Sequence, residues 1–111
     1  MGRIYVIGPV TGREDGNRAA FEEARAALRA AGHKAVIPHD VVDAGDDWQL
    51  AMRQSIREML RVRAGRPVYD GVAELPGLFG SRGARCERGV CGQLGIPHKS
   101  VEEWCAEGAA S

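Results

Sequence analysis

The chain has no excess charge of either sign: 15 Lys and Arg balance 15 Asp and Glu over 111 residues. A neutral chain lacks the basic footprint that duplex nucleic acid or an anionic membrane would require, so a small-molecule partner fits better. No apolar run approaches the roughly 18 to 20 residues of a membrane span, and the Met1-Gly-Arg3 start has no apolar secretion core. The default expectation is a cytoplasmic protein without membrane contact. Cysteines are few and odd in number, Cys86, Cys91 and Cys105, and the first two diverge on one expected helix. A disulfide framework is therefore not indicated. The three histidines, His33, His39 and His98, have no ligand spacing, so no metal is expected. Phosphate-loop, dinucleotide and Gly-x-Ser-x-Gly patterns are all missing, which leaves nothing to support a nucleoside triphosphate, NAD or a serine hydrolase and no cofactor to expect. There is no internal repeat or low-complexity segment, and the 44% apolar share suits one globular domain over residues 1–111.

What is present is an alternation of short strands and helices. Arg3-Ile-Tyr-Val-Ile-Gly-Pro9 reads as a buried strand stopped by Gly-Pro. The loop Val10–Gly16 follows, with Asn17 as the expected N-cap of a helix whose inward stripe is Phe21, Ala24, Leu28 and Ala31. Lys34–Pro38 is a second strand. Asp46 or Asp47 can cap a second helix with Trp48, Met52, Ile56 and Met59 inward. Arg61–Pro67 reads as a solvated loop, Tyr69–Leu75 as a third strand, and a glycine-rich turn then opens a helix ended by Gly95. Ile96–Ser100 is a weak fourth strand and Val101–Glu107 a last helix.

This spacing predicts an α/β fold of right-handed βαβ units, with a parallel sheet covered by helices on both faces. Ligands of such sheets sit beyond the carboxyl ends of the strands. The loops to watch are thus Gly8–Asn17, which contains Pro9 and Thr11, then His39–Asp47 and Pro76–Gly83. Gly80-Ser-Arg-Gly83 offers free backbone N–H groups, a hydroxyl and a guanidinium at a helix start, a set suited to phosphate or carboxylate and equally to a simple cap.

One acid stands in an awkward place. If residues 82–94 are helical, Glu87 shares a face with Ala84, Val90, Cys91 and Leu94. A buried carboxylate costs several kcal/mol unless it is paired. Glu87 is either a structural acid bonded to its neighbours or a catalytic one beside an anion-ready turn. A carboxylate held near Tyr5 of the first strand suits attack on, or stabilisation of, an oxocarbenium-like centre. Ser55 poses a similar choice on the second helix: a hydroxyl bonded back to the carbonyl four residues earlier, or one that lines a pocket.

Taken in order, Arg3–Gly12, Asn17, Phe21, Ala31–Pro38, Leu75-Pro-Gly77, Ser81-Arg-Gly-Ala-Arg-Cys-Glu87 and Leu94-Gly-Ile-Pro97 resemble a small phage and bacterial branch of the nucleoside 2-deoxyribosyltransferase-like superfamily. The likeness spans roughly residues 3–104. It implies a flavodoxin-like three-layer fold with a four- or five-stranded parallel sheet, assembled as a homodimer or larger, acting on a nucleoside or nucleoside monophosphate. On it, Glu87 matches the nucleophile that takes the sugar C1′, Tyr5 the tyrosine that holds this Glu, and Gly8 and Pro9 the loop under the substrate. Two positions depart from the pattern. Ser81 replaces an Asp near the sugar hydroxyl and resembles the nucleotide N-glycosidases, where a Ser meets a 5′-phosphate, which favours a monophosphate. Ser55 replaces the Asp that protonates the departing base, and a hydroxyl is no acid at neutral pH. Asp40, Asp46, Asp47 or a partner's residue would have to take that part. The alternative is a nucleotide-binding or interaction module of the same fold without catalysis.

Overall fold

The computed structural model describes residues 2–43 and 45–110. Its elements run β1 (Arg3–Ile7), α1 (Arg18–Ala30), β2 (Lys34–Val36), α2 (Trp48–Met59), β3 (Val62–Arg63), β4 (Arg66–Pro67), β5 (Gly71–Glu74), α3 (Arg82–Leu94), β6 (His98–Ser100) and α4 (Val101–Ala110), with short 3-10 turns at Glu14–Asn17, Pro38–Asp40 and Leu78–Gly80. Strands β2-β1-β5-β6 form one parallel sheet in that order. The architecture is therefore α/β and flavodoxin-like in its three layers, with four strands in the main sheet among the described residues. None of the described helices is long and apolar enough to cross a membrane.

The period-2 alternation of β1 explains the layers. Ile4 and Val6 point to one face, into a core with Phe21, Ala24 and Leu28 of α1 and Val101 and Trp104 of α4. Tyr5 and Ile7 point to the other, with Met59 of α2 and Ala84 and Cys91 of α3. The last four of the five β1 residues, Ile4 to Ile7, are fully buried, as expected of a central parallel strand covered on both sides.

Four local expectations need correction. Arg61–Pro67 is not a plain loop: β3 and β4 pair antiparallel around Ala64 and Gly65, both at positive φ (53° and 77°), the geometry of a tight hairpin. Asn17 does not cap α1 with its side chain. Its backbone is left-handed and its Nδ2 donates instead to the Pro9 carbonyl (3.0 Å), pinning the first loop. Leu94 is 61% exposed and leaves the face it was expected to share with Glu87. On α2 only Ser55 and Met59 are fully buried. Trp48, Met52 and Ile56 are half-buried; the first two border a cavity rather than the core.

Candidate functional site

Three buried side chains from three elements meet between the sheet and its α2–α3 layer. β1 carries Tyr5 to its middle, α2 brings Ser55 over it, and α3 presents Glu87 from the side. The Tyr5 phenol lies 2.8 Å from Ser55 Oγ, and Ser55 Oγ donates to Glu87 Oε2 at 2.5 Å. A serine hydroxyl has a single proton, so with that proton on Glu87 the phenol is the donor in the other bond. Tyr5 thus reaches Glu87 through Ser55. Of the two readings of Ser55, neither bond is the local back-bond to the helix: the hydroxyl is committed to residues 50 and 32 positions away.

Burial disfavours the ionised carboxylate and pushes the Glu87 carboxyl up from 4.5 to about 7, while the Ser55 bond pulls it down. Burial likewise raises the Tyr5 phenol well above its ordinary range, again opposed by Ser55. The group stays a proton donor across any physiological pH. Tyr69 closes the arrangement from below, its ring edge-on to Tyr5 at 5.3 Å and its hydroxyl donating to Glu58 at 2.6 Å.

Above this chain opens a cavity of about 710 Å³, bordered by the loops after β1 and β2 and by the first turns of α2 and α3. Its size falls in the range of small-molecule sites. Of the residues singled out in the sequence, Gly8, Thr11, Ser55, Ser81 and Gly83 line it. Pro9, Asn17, Gly80 and Arg82 do not, and neither do Tyr5 and Glu87. Ser81 is the N-cap of α3, its Oγ accepting from Ala84 N at 3.3 Å. The Arg82 guanidinium stacks over the Trp48 ring at 4.2 Å. Gly83 allows Met52 to pack on the helix start, since a Cβ there would lie 2.8 Å from its sulfur.

Sequence reasoning marked the His39–Asp47 loop, with Asp46 or Asp47 as the expected cap of α2, but not how its other polar groups are used. Asp40 is held by Arg25 at 2.5 Å, and Asp47 caps α2 by accepting from Leu50 N at 2.8 Å. That leaves Asp46 on the cavity wall, beside Asp43. One Asp46 oxygen and His39 Nδ1 are buried without a hydrogen-bond partner, while His39 Nε2 donates to the Gly16 carbonyl at 2.8 Å. With Asp15 the wall holds three carboxylates against one guanidinium, Arg18, so a dianionic phosphate would be disfavoured away from the α3 N-terminus. No group of three or more His, Cys, Asp or Glu placed to hold a metal occurs among the described residues.

A family model described as a domain of unknown function (DUF4406) matches residues 2–99, and the chain belongs to that family. No curated protein and no solved structure matches the chain.

Proposed function

We propose that the cavity binds a nucleoside or nucleoside monophosphate and that the chain cleaves or transfers at its N-glycosidic bond, with Glu87 as the essential carboxylate. The observation that supports this most is the buried Tyr5–Ser55–Glu87 chain, whose middle member borders the cavity. A carboxylate whose pKa is raised to about 7 can change protonation state near neutrality, and its ionised form stabilises positive charge developing at C1′. The free N–H groups at the start of α3 are the best place for a 5′-phosphate. The resemblance to the nucleoside 2-deoxyribosyltransferase-like superfamily supplies the reaction class, and with it the proposal that the chain works as a homodimer or larger assembly.

Incubating the protein with deoxynucleosides and their 5′-monophosphates, and following free base by chromatography, tests the reading. Base should be released by the wild type and not by Glu87→Gln. Release that persists in the variant, or none from any substrate, removes it.

One observation favours a second reading, a nucleotide-binding module without catalysis: Glu87 is only 6% exposed and does not border the cavity. In that case a nucleoside at 100 times its Kd raises unfolding stability by about 2.7 kcal/mol with no base released.

A further inference from the structure

Ser55, not Glu87, lines the cavity, where Gly8 and Ala84 also lie. A molecule in the cavity therefore meets the carboxylate through the serine hydroxyl. A hydroxyl has one proton and two lone pairs. Ser55 gives its proton to Glu87 and takes one from Tyr5, which leaves it able to accept one more hydrogen bond.

We propose that Glu87 works through Ser55 as the base for a water molecule, which attacks the sugar C1′ directly. This inference rests on the N-glycosidic reading above and changes the part Glu87 takes in it. As the water oxygen bonds to C1′, the C1′–N bond breaks and its electron pair leaves on the base nitrogen, which takes a proton from solvent. The proton shed by the water passes to Ser55 while the proton of Ser55 passes to Glu87, and Glu87 returns it to solvent. Atoms and charge balance with water as the only co-reactant. Tyr5 is a positioning residue: by donating to Ser55 it keeps the serine proton turned toward Glu87.

The alternative, direct attack by Glu87, requires a carboxylate oxygen in contact with C1′, with Ser55 removed from between them. The relay uses the Tyr5–Ser55 and Ser55–Glu87 hydrogen bonds as they stand. It also gives the serine a task at the position where the resemblance leads one to expect an acid. A base of pKa about 7 is suited to such a transfer near neutral pH. The chemical consequences are a single displacement, inversion at C1′, no glycosyl ester on the protein, and water as the acceptor in place of a second base.

The test uses the full chain with whichever β-nucleoside or monophosphate releases base, in aqueous methanol, because the methyl glycoside keeps its configuration. The α-methyl glycoside is expected, and intact mass after exposure to a 2-fluoroarabinosyl nucleoside should show no adduct. Ser55→Ala should lower kcat about 100-fold with little change in KM, and Ser55→Thr should recover part of it and the acid limb of the pH profile near 7. A β-methyl glycoside, an adduct on Glu87, or an unchanged rate in Ser55→Ala overturns the relay while leaving the N-glycosidic reading in place. Release of base from no substrate overturns both.

Discussion

The Ser55 hydroxyl sits 2.5 Å from the Glu87 carboxylate, across the seam between α2 and α3. That one bond is what makes an acid tolerable in this layer, because a carboxylate taken out of water needs a donor close by. It is not enough to cancel the burial, and the remainder shows as the raised pKa.

Stability should therefore depend on pH through this residue. The Glu87 carboxyl titrates at about 7 in the folded chain against an ordinary 4.5, so the folded state binds its proton more tightly than the unfolded state. The contribution is fully present below pH 4.5 and is lost as pH rises to 7, in total about 3 kcal/mol from the size of the shift. Glu87→Gln has no such titration. Urea unfolding of both proteins at pH 5 and pH 8 should show the wild type losing most of that amount relative to the variant. A difference between the two that stays constant with pH would contradict the buried, ionisable Glu87.

The three side chains should also be energetically coupled. Tyr5→Phe removes a neutral buried hydrogen bond, worth about 1 kcal/mol. Ser55→Ala costs more, about 2 to 3 kcal/mol, because both Tyr5 and Glu87 lose its hydroxyl. In the double variant the phenol is no longer there to be left unpaired, so its cost should fall short of the sum by 0.5 kcal/mol or more, about the lower bound for residues in one network. Strict additivity in a denaturant cycle would mean that the chain is not formed in solution.

How much of this was legible depended on the range of the signal. The inward turn of Glu87 follows from offsets of three and four on one helix, and the Asp47 cap from a side chain three residues before the amide it serves. Both are local. The Ser55 bonds join positions 32 and 50 residues apart, which only the closed fold brings together. An apolar stripe has the same spacing whether it faces a core or a cavity, so Trp48 and Met52 read as interior while they stand half-buried on the cavity wall. The hairpin at Ala64-Gly65 was hidden for another reason: Ala-Gly is not the Asn-Gly or Asp-Gly pair that usually marks such a turn. Asn17 carries its signal in a left-handed backbone, and its side chain serves the loop rather than the helix.

The Asp47 cap gives a control for the cavity wall. Asp47→Ala leaves the Leu50 amide without its partner at the start of α2 and should cost about 1 kcal/mol. For a chain of this size that is a fall in Tm of about 4 °C. Because Asp47 takes no part in the Tyr5–Ser55–Glu87 chain, the pH dependence assigned to Glu87 should survive the substitution. Loss of that dependence would mean that α2 as a whole, rather than Ser55, holds the carboxylate in place.

A tight point of the fold outside the cavity lining is Gly71, the first residue of β5. A Cβ added there would lie 2.6 Å from Trp104 Cη2 and 2.8 Å from the Pro97 carbonyl oxygen, and closer still to Trp104 Cζ2. Neither neighbour is free to retreat. The indole is held by its Nε1 donating to the Val72 carbonyl at 2.8 Å, and the Pro97 carbonyl accepts from Val72 N at 2.9 Å. Gly71→Ala should then cost about 3 kcal/mol, the upper end of ordinary overpacking, by lifting α4 off the sheet. Gly89 and Gly92 on the exposed side of α3 are the matched comparison, since a Cβ at either meets nothing within 4 Å. Alanine there should stabilise by up to about 1 kcal/mol, the helix preference of Ala over Gly. Thermal unfolding of the three variants should show Tm changes of opposite sign; a Gly71→Ala protein as stable as the wild type would show that α4 docks less closely than the Trp104 contacts describe.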